Sequence, residues 1–168
     1  SKNKPEKQQR NQTGSPILEE GDILLNTTLA ETNDWQQVDL PVMRTLRHFC
    51  IETLSSYTED NQACISEVDL LDDKGQPIDK TKWEVVYVSS EQADKNLGIA
   101  ENLFDGDISS FWHTDPATEP GQPHRIIVDI KEIYKISALR FKVRKGAFLS
   151  GKVKEINVYG RPQFFLFH

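Results

Sequence analysis

The hexapeptide Asp105-Gly106-Asp107-Ile108-Ser109-Ser110 sets two carboxylates and two hydroxyls around a glycine turn. Hard oxygen donors clustered with backbone carbonyls suit Ca²⁺, which takes about 6–8 oxygens at roughly 2.3–2.6 Å. The spacing does not fit an EF-hand loop, and an Asp-Gly turn that binds nothing is spelled the same way. Other reactive residue types are scattered. His48, His113, His124 and His168 form no Ser/His/Asp or Cys/His pattern, and no carboxylates pair by spacing. Two cysteines, Cys50 and Cys64, exclude a disulfide-dense miniprotein and a multi-cysteine zinc site. They lie symmetrically about Tyr57, so a cross-hairpin disulfide and two buried free thiols are both open, with free thiols favoured. Nothing here demands catalysis, and no enzyme is expected.

Such residues need a scaffold, and composition bounds it. The chain has 168 residues and 19.2 kDa, which suits one domain, with 37% hydrophobic and 27% charged residues. No apolar run approaches the roughly 18 residues of a membrane-spanning helix. The net charge is −6, unevenly spread: Lys2, Lys4, Lys7 and Arg10 against Glu6 give the first sixteen residues +3, leaving −9 on the rest. An acidic body repels phosphate backbones, which argues against nucleic acid as a partner. The segment 1–16 holds no hydrophobic residue, so ordering it is not offset by burial, and a disordered tether is expected.

From Ile17 onward the pattern is mostly period two. Short strands are expected over Trp35–Leu40, stopping at Pro41, and over Leu46–Leu54, with Arg47, Phe49, Ile51 and Thr53 toward the core. Others follow at Cys64–Leu71, Trp83–Val88, Arg125–Ile130, Ile136–Val143 and Val153–Tyr159. Asp72-Asp73-Lys74-Gly75 is a turn, and one short helix is expected around Asp94–Leu103. About eight short strands with almost no helix predict an all-β antiparallel sandwich or jelly roll. Trp35, Trp83 and Trp112 each sit in a β pattern and are assigned to the core or to strand edges. His124, opening a strand after Pro123, is expected to satisfy a backbone group.

The stretch from Trp83 to Gly160 resembles part of a discoidin domain, the coagulation factor V/VIII C-type domain, and within it the family 32 carbohydrate-binding modules. The matching pieces are Trp83-Glu84-Val85-Val86-Tyr87-Val88-Ser89-Ser90-Glu91, Ala100-Glu101-Asn102-Leu103-Phe104-Asp105-Gly106-Asp107 and Phe111-Trp112-His113-Thr114. Then come Pro123–Ile130, Ile136–Phe141 and Val153–Tyr159. The family's last three strands are missing after Gly160, and similar pieces stand at the front: Trp35–Pro41, Arg47–Glu52 and Ala63–Leu70. The resemblance therefore implies one circularly permuted, galactose-binding-like jelly roll over residues 17–168. The competing reading, the tail of one module followed by the head of another, would leave each half with a sandwich face it cannot bury.

The resemblance also implies site residues. A structural calcium would sit at Asp105, Asp107 and Ser110, helped by Glu67 from the strand that is last in the family. A sugar would meet His113 and Arg144, with a structural hydrogen bond the equal alternative for His113. Ser150 stands near where an Asn is common, which puts a galactose-type specificity in doubt. Tyr57 and Phe148 are the candidate aromatics to stack on a sugar ring, ordinary loop packing being the alternative for each. The implied function is a non-catalytic glycan-binding module, monomeric, of a secreted or cell-surface bacterial protein. A periplasmic or outer-membrane lipoprotein held by the leader would fit that setting. The alternatives are a protein-interaction domain on the same fold with no sugar site, and a piece of a larger glycosidase.

Overall fold

The computed structural model describes residues 5–6, 10, 12–118, 121–143 and 151–168. Its strands are β1 (Pro16–Ile17), β2 (Ile23–Thr28), β3 (Gln36–Thr53), β4 (Cys64–Asp72), β5 (Glu84–Val88), β6 (Trp112–His113), β7 (His124–Val143), β8 (Glu155–Arg161) and β9 (Leu166–Phe167). The architecture is all-β and antiparallel, a jelly-roll sandwich. The helix expected around Asp94–Leu103 is instead two 3-10 turns, Asp94–Asn96 and Ala100–Phe104.

Two pairs of expected strands turn out to be continuous. Trp35–Leu40 and Leu46–Leu54 belong to the single strand β3, which runs through Pro41. Proline cannot donate to a ladder, and the β3–β7 register breaks between Asp39 and Arg44, with Pro41, Val42 and Met43 exposed. Arg125–Ile130 and Ile136–Val143 likewise merge into β7, bending beside β3. Each long strand thus serves both layers. One layer is β2-β8-β3-β7-β5, built on His48–Thr53 and His124–Asp129. The other uses the opposite halves of β3 and β7, followed by β4 and β6.

The strands near the start of the sequence pair with those near its end. Val38, Phe49, Ile51, Val68 and Leu70 share one hydrophobic cluster with Trp83, Trp112, Val128, Phe141 and Val158. Phe49, Ile51 and Thr53 face inward as expected, but their outward neighbours are covered too. Cys50, Ile127, Tyr159 and Phe165 form a second cluster, packed by Leu18, Ile23, Tyr87 and Phe167. The cover comes from β1 and β9, which pair with each other, and the ladder continues as Ser15 and His168 exchange hydrogen bonds of 2.9 and 3.1 Å. Burying the Phe165 ring there contributes roughly 2–3 kcal/mol. Both cysteines are buried, and no disulfide joins them. They do not oppose each other, because β7 lies between β3 and β4 in the layer that holds Cys64.

The leader, expected to be a free tether, touches the body at each described position that carries a long side chain. Glu6 accepts the Lys95 N–H, Arg10 pairs with Glu91 and Glu101, and the Gln12 amide meets Val88.

Candidate functional site

One end of the sandwich gathers the segments that carry the expected ligand residues. Because β3 and β7 run antiparallel along their length, Gln36 at the start of β3 pairs with Phe141 near the end of β7. On the other side of β7, Ile65 pairs with both Val143 and Trp112, and Cys64 pairs with His113 and bridges to Lys152. The residues on either side of 144–150 are therefore held against Cys64 and Ile65, with His113 beyond them. Gly151 is built for this approach. Its φ is +76°, and a Cβ there would lie 3.0 Å from Cys64 Cβ and from the Cys64 backbone nitrogen. Arg144, Phe148 and Ser150 themselves lie outside the described residues.

His113 reaches this end but faces inward. It is 2% exposed, its Nδ1 is 2.6 Å from the Thr114 carbonyl, and its ring stands edge-on to Phe111. Tyr57 is half-buried and tied down as well. Its N–H donates to the Lys152 carbonyl (2.7 Å), its hydroxyl donates to the Leu29 carbonyl (2.8 Å), and the Lys154 ammonium lies 5.4 Å from its ring centroid. His124 fulfils the expected backbone role, with Nε2 2.6 Å from the Asn61 carbonyl.

Among the described residues, the aromatic that faces solvent here is Trp35, assigned from sequence to the core or a strand edge. It is 41% exposed, whereas Trp83 (6%) and Trp112 (0%) are interior. The polar Asn33-Asp34 before it was the available signal, since it marks a loop whose first ordered partner is Gln36. The Lys142 ammonium donates to the Asn33 carbonyl (2.5 Å), which seats this loop on β7. Across the layer order β3-β7-β4-β6, Trp35 and His113 are three strand spacings apart, or about 14 Å.

The calcium expectation can be set against the donors themselves. The Ser110 hydroxyl donates to Asp105 Oδ2 (2.6 Å) and lies 3.0 Å from the Asp107 carbonyl oxygen. Glu67, on β4, accepts the Gly106 N–H through Oε2 (3.1 Å), which carries its carboxylate to this turn. That oxygen also pairs with Lys80, whose ammonium is 2.6 Å from Asp69 as well. The other oxygen, Oε1, is buried and has no hydrogen-bond partner among the described residues. Burial pushes the Glu67 carboxyl up to about 7, partly opposed by Lys80 and the Gly106 N–H. Asp107 is held below the usual range by the hydroxyl and N–H of Ser109. Among the described residues no three His, Cys, Asp or Glu side chains surround one point. The donors that converge are mixed: carboxylate, hydroxyl and carbonyl. An orphaned carboxylate oxygen beside such a set fits a hard cation.

Two cavities lie beside these elements. One, of about 390 Å³, is lined by Arg10, Gln12, Ser90, Glu91, Asp94 and Asp115 among others. The second, about 410 Å³, adjoins Lys80, Trp83, Phe104 and Asp105. Neither is lined by Tyr57, His113 or Trp35.

Residues 85–163 match the family model of the F5/8 type C domain. The matched segment is just under half of the chain and resembles that family. A sialidase of Micromonospora viridifaciens is 33% identical over 84 residues, which is 49% of this chain and 13% of the sialidase. The chain thus matches a small part of that enzyme. The F5/8 type C segment contains β5 from Val85 onward, the 105–110 turn, His113, β7 and β8, and it runs through 144–150. Tyr57, Trp35 and Glu67 come from strands and loops ahead of it. No helix among the described residues is long and apolar enough to cross a membrane.

Proposed function

We propose that this chain is a non-catalytic glycan-binding module whose ligand meets the loop end that carries Trp35 and Tyr57. The observation that carries this reading is the F5/8 type C match joined to the likeness with part of a sialidase, an enzyme of glycans. Trp35 would supply the flat apolar face a sugar ring needs, and Arg144, expected from the sequence to meet the sugar, a charged hydrogen-bond donor. His113 acts from behind, shaping the Thr114 turn and not touching sugar. The extracellular, surface-attached setting expected from the sequence accompanies this reading, as does a circularly permuted strand order. Ca²⁺ held by Asp105, Asp107, Ser110 and Glu67 would tie β4 to the central turn, a stabilising role.

A glycan array on the purified chain tests the proposal. Binding is expected to at least one glycan class, reduced tenfold or more by Trp35→Ala and by Arg144→Ala, with melting temperature unchanged. An array blank throughout, or one indifferent to both substitutions, overturns it. A protein-interaction role has its own support in Val42, Met43 and Ile133, exposed apolar residues at the opposite, bent end of the sandwich. Blank arrays together with loss of a partner in Met43→Asp would favour that second reading.

A further inference from the structure

β5 pairs only with β7 among the described residues, so its other edge presents unpaired backbone groups. Val88 faces that edge with both its N–H and its carbonyl. The Gln12 side chain takes both: its amide nitrogen donates to the Val88 oxygen (2.5 Å), and its oxygen accepts the Val88 N–H (3.3 Å). One carboxamide here reproduces a strand-to-strand bridge. Two residues earlier, the Arg10 guanidinium lies between two carboxylates. Nε donates to Glu91 Oε2 (2.7 Å), and Nη2 donates to Glu91 Oε1 (3.3 Å) and Glu101 Oε1 (2.5 Å). The three side chains are 15%, 9% and 28% exposed. Burial works against the Arg10 charge, yet the two glutamates hold its pKa above the usual arginine value. Further along, Glu6 accepts the Lys95 N–H (3.1 Å), and the Pro5 carbonyl accepts from Asn96 Nδ2 (2.8 Å).

A polar segment without one apolar side chain has no hydrophobic reason to dock, so these partners must define the seat. An isolated exposed ion pair adds little, but a fork shared by two half-sheltered carboxylates is geometrically selective. Glu91 is fixed before the arginine arrives, since its Oε1 also accepts the Ala100 N–H (2.9 Å). The surface therefore has three preset features: an acidic pair, a strand edge, and a cavity alongside.

We infer that the free edge of β5, with Glu91 and Glu101, is a docking surface for a basic, extended peptide carrying an arginine and, two residues on, a carboxamide. The chain's own leader is its resident. Docking in cis benefits from high effective concentration, so residues 10 and 12 suffice without apolar anchors. The contact also fixes one wall of the 390 Å³ cavity, making that cavity dependent on the leader.

Amide exchange on the full chain tests this. In Arg10→Ala, exchange at Val88 and Lys95 is expected to accelerate at least tenfold while Cys50 and Ile127, deep in the sheet, stay slow. A synthetic peptide of residues 1–16, added to that variant, is expected to slow Val88 again, whereas the same peptide carrying Arg10→Ala does not. Unchanged exchange at Val88 and Lys95 in the variant would overturn residence of the leader. Failure of the unmodified peptide to restore protection would overturn the docking surface.

Discussion

At the residue scale, Glu67 and Asp105 carry the sharpest expectation. Glu67 has one satisfied oxygen and one buried oxygen without a donor among the described residues, a costly state that a cation would relieve. Chelator is expected to lower the melting temperature by several degrees, and Ca²⁺ to restore it. Asp105→Asn should remove most of that difference, because Oδ2 sits within the cluster formed with Ser110 and Asp107. Identical melting with and without chelator would remove the ion from the account. Which side chains were readable beforehand follows from what each signal depends on. The turn acids were legible because their geometry is local, closed by hydrogen bonds two to five residues apart. Trp35 and His113 were not, since exposure depends on which loop crosses above a residue. The letters of a β pattern look the same whether an indole is sealed or at the rim.

At the element scale, the tail through β9 is the piece whose role sequence concealed. Apolar and short, Phe164–Phe167 gave no hint of a target, although Cys50, Ile127 and Tyr159 on outward-facing positions were the complementary signal. His48 is where tail and sheet meet. Its imidazole stacks on Phe164 at 4.2 Å, with Arg47 on the same ring at 4.9 Å, and its Nδ1 accepts the Phe165 N–H (3.3 Å). Burial lowers the His48 pKa, and the positive charges of Arg47 and Arg161 add to this, while Asp129 opposes. A base with a depressed folded-state pKa gives stability that is present above its unfolded value and lost as pH falls. Protonation would also take away the acceptor for Phe165. Between pH 7 and pH 5 His48 therefore works to lower the melting temperature, while protonation of Glu67, pushed up to about 7, works to raise it. The His48 part is read as the difference, with His48→Asn expected to fall less, or rise more, than the parent. Equal slopes for both proteins would rule out this histidine as the cause. The fused strands β3 and β7 have a similar lesson: Pro41 marked an end in sequence, yet the chain passes through it by a bulge.

At the scale of the whole molecule, the front strands complete an interior begun by the rear ones, and Ser15 and His168 lie hydrogen-bonded side by side. A chain rejoined from His168 to Ser15 by a few Gly and Ser residues, and reopened at the Asp73-Lys74-Gly75 turn, should fold to the same sandwich. Its melting temperature is expected within about 10 °C of the parent, as for other cuts at exposed turns. An insoluble product, or one without cooperative melting, would argue against a permuted order. The jelly roll was legible because strand-length periodicity and the resemblance agreed. The docked leader was not, because it rests on long-range pairing of Arg10 with Glu91 and Glu101.

The distribution of the three indoles has an optical consequence. Trp83 and Trp112 are shielded, so their emission belongs to the blue side of the spectrum and is lost only when the interior opens. Trp35 stands in water, so a dissolved quencher such as acrylamide dims it first. One fluorescence spectrum therefore separates occupancy of the loop end from integrity of the fold, with no added label.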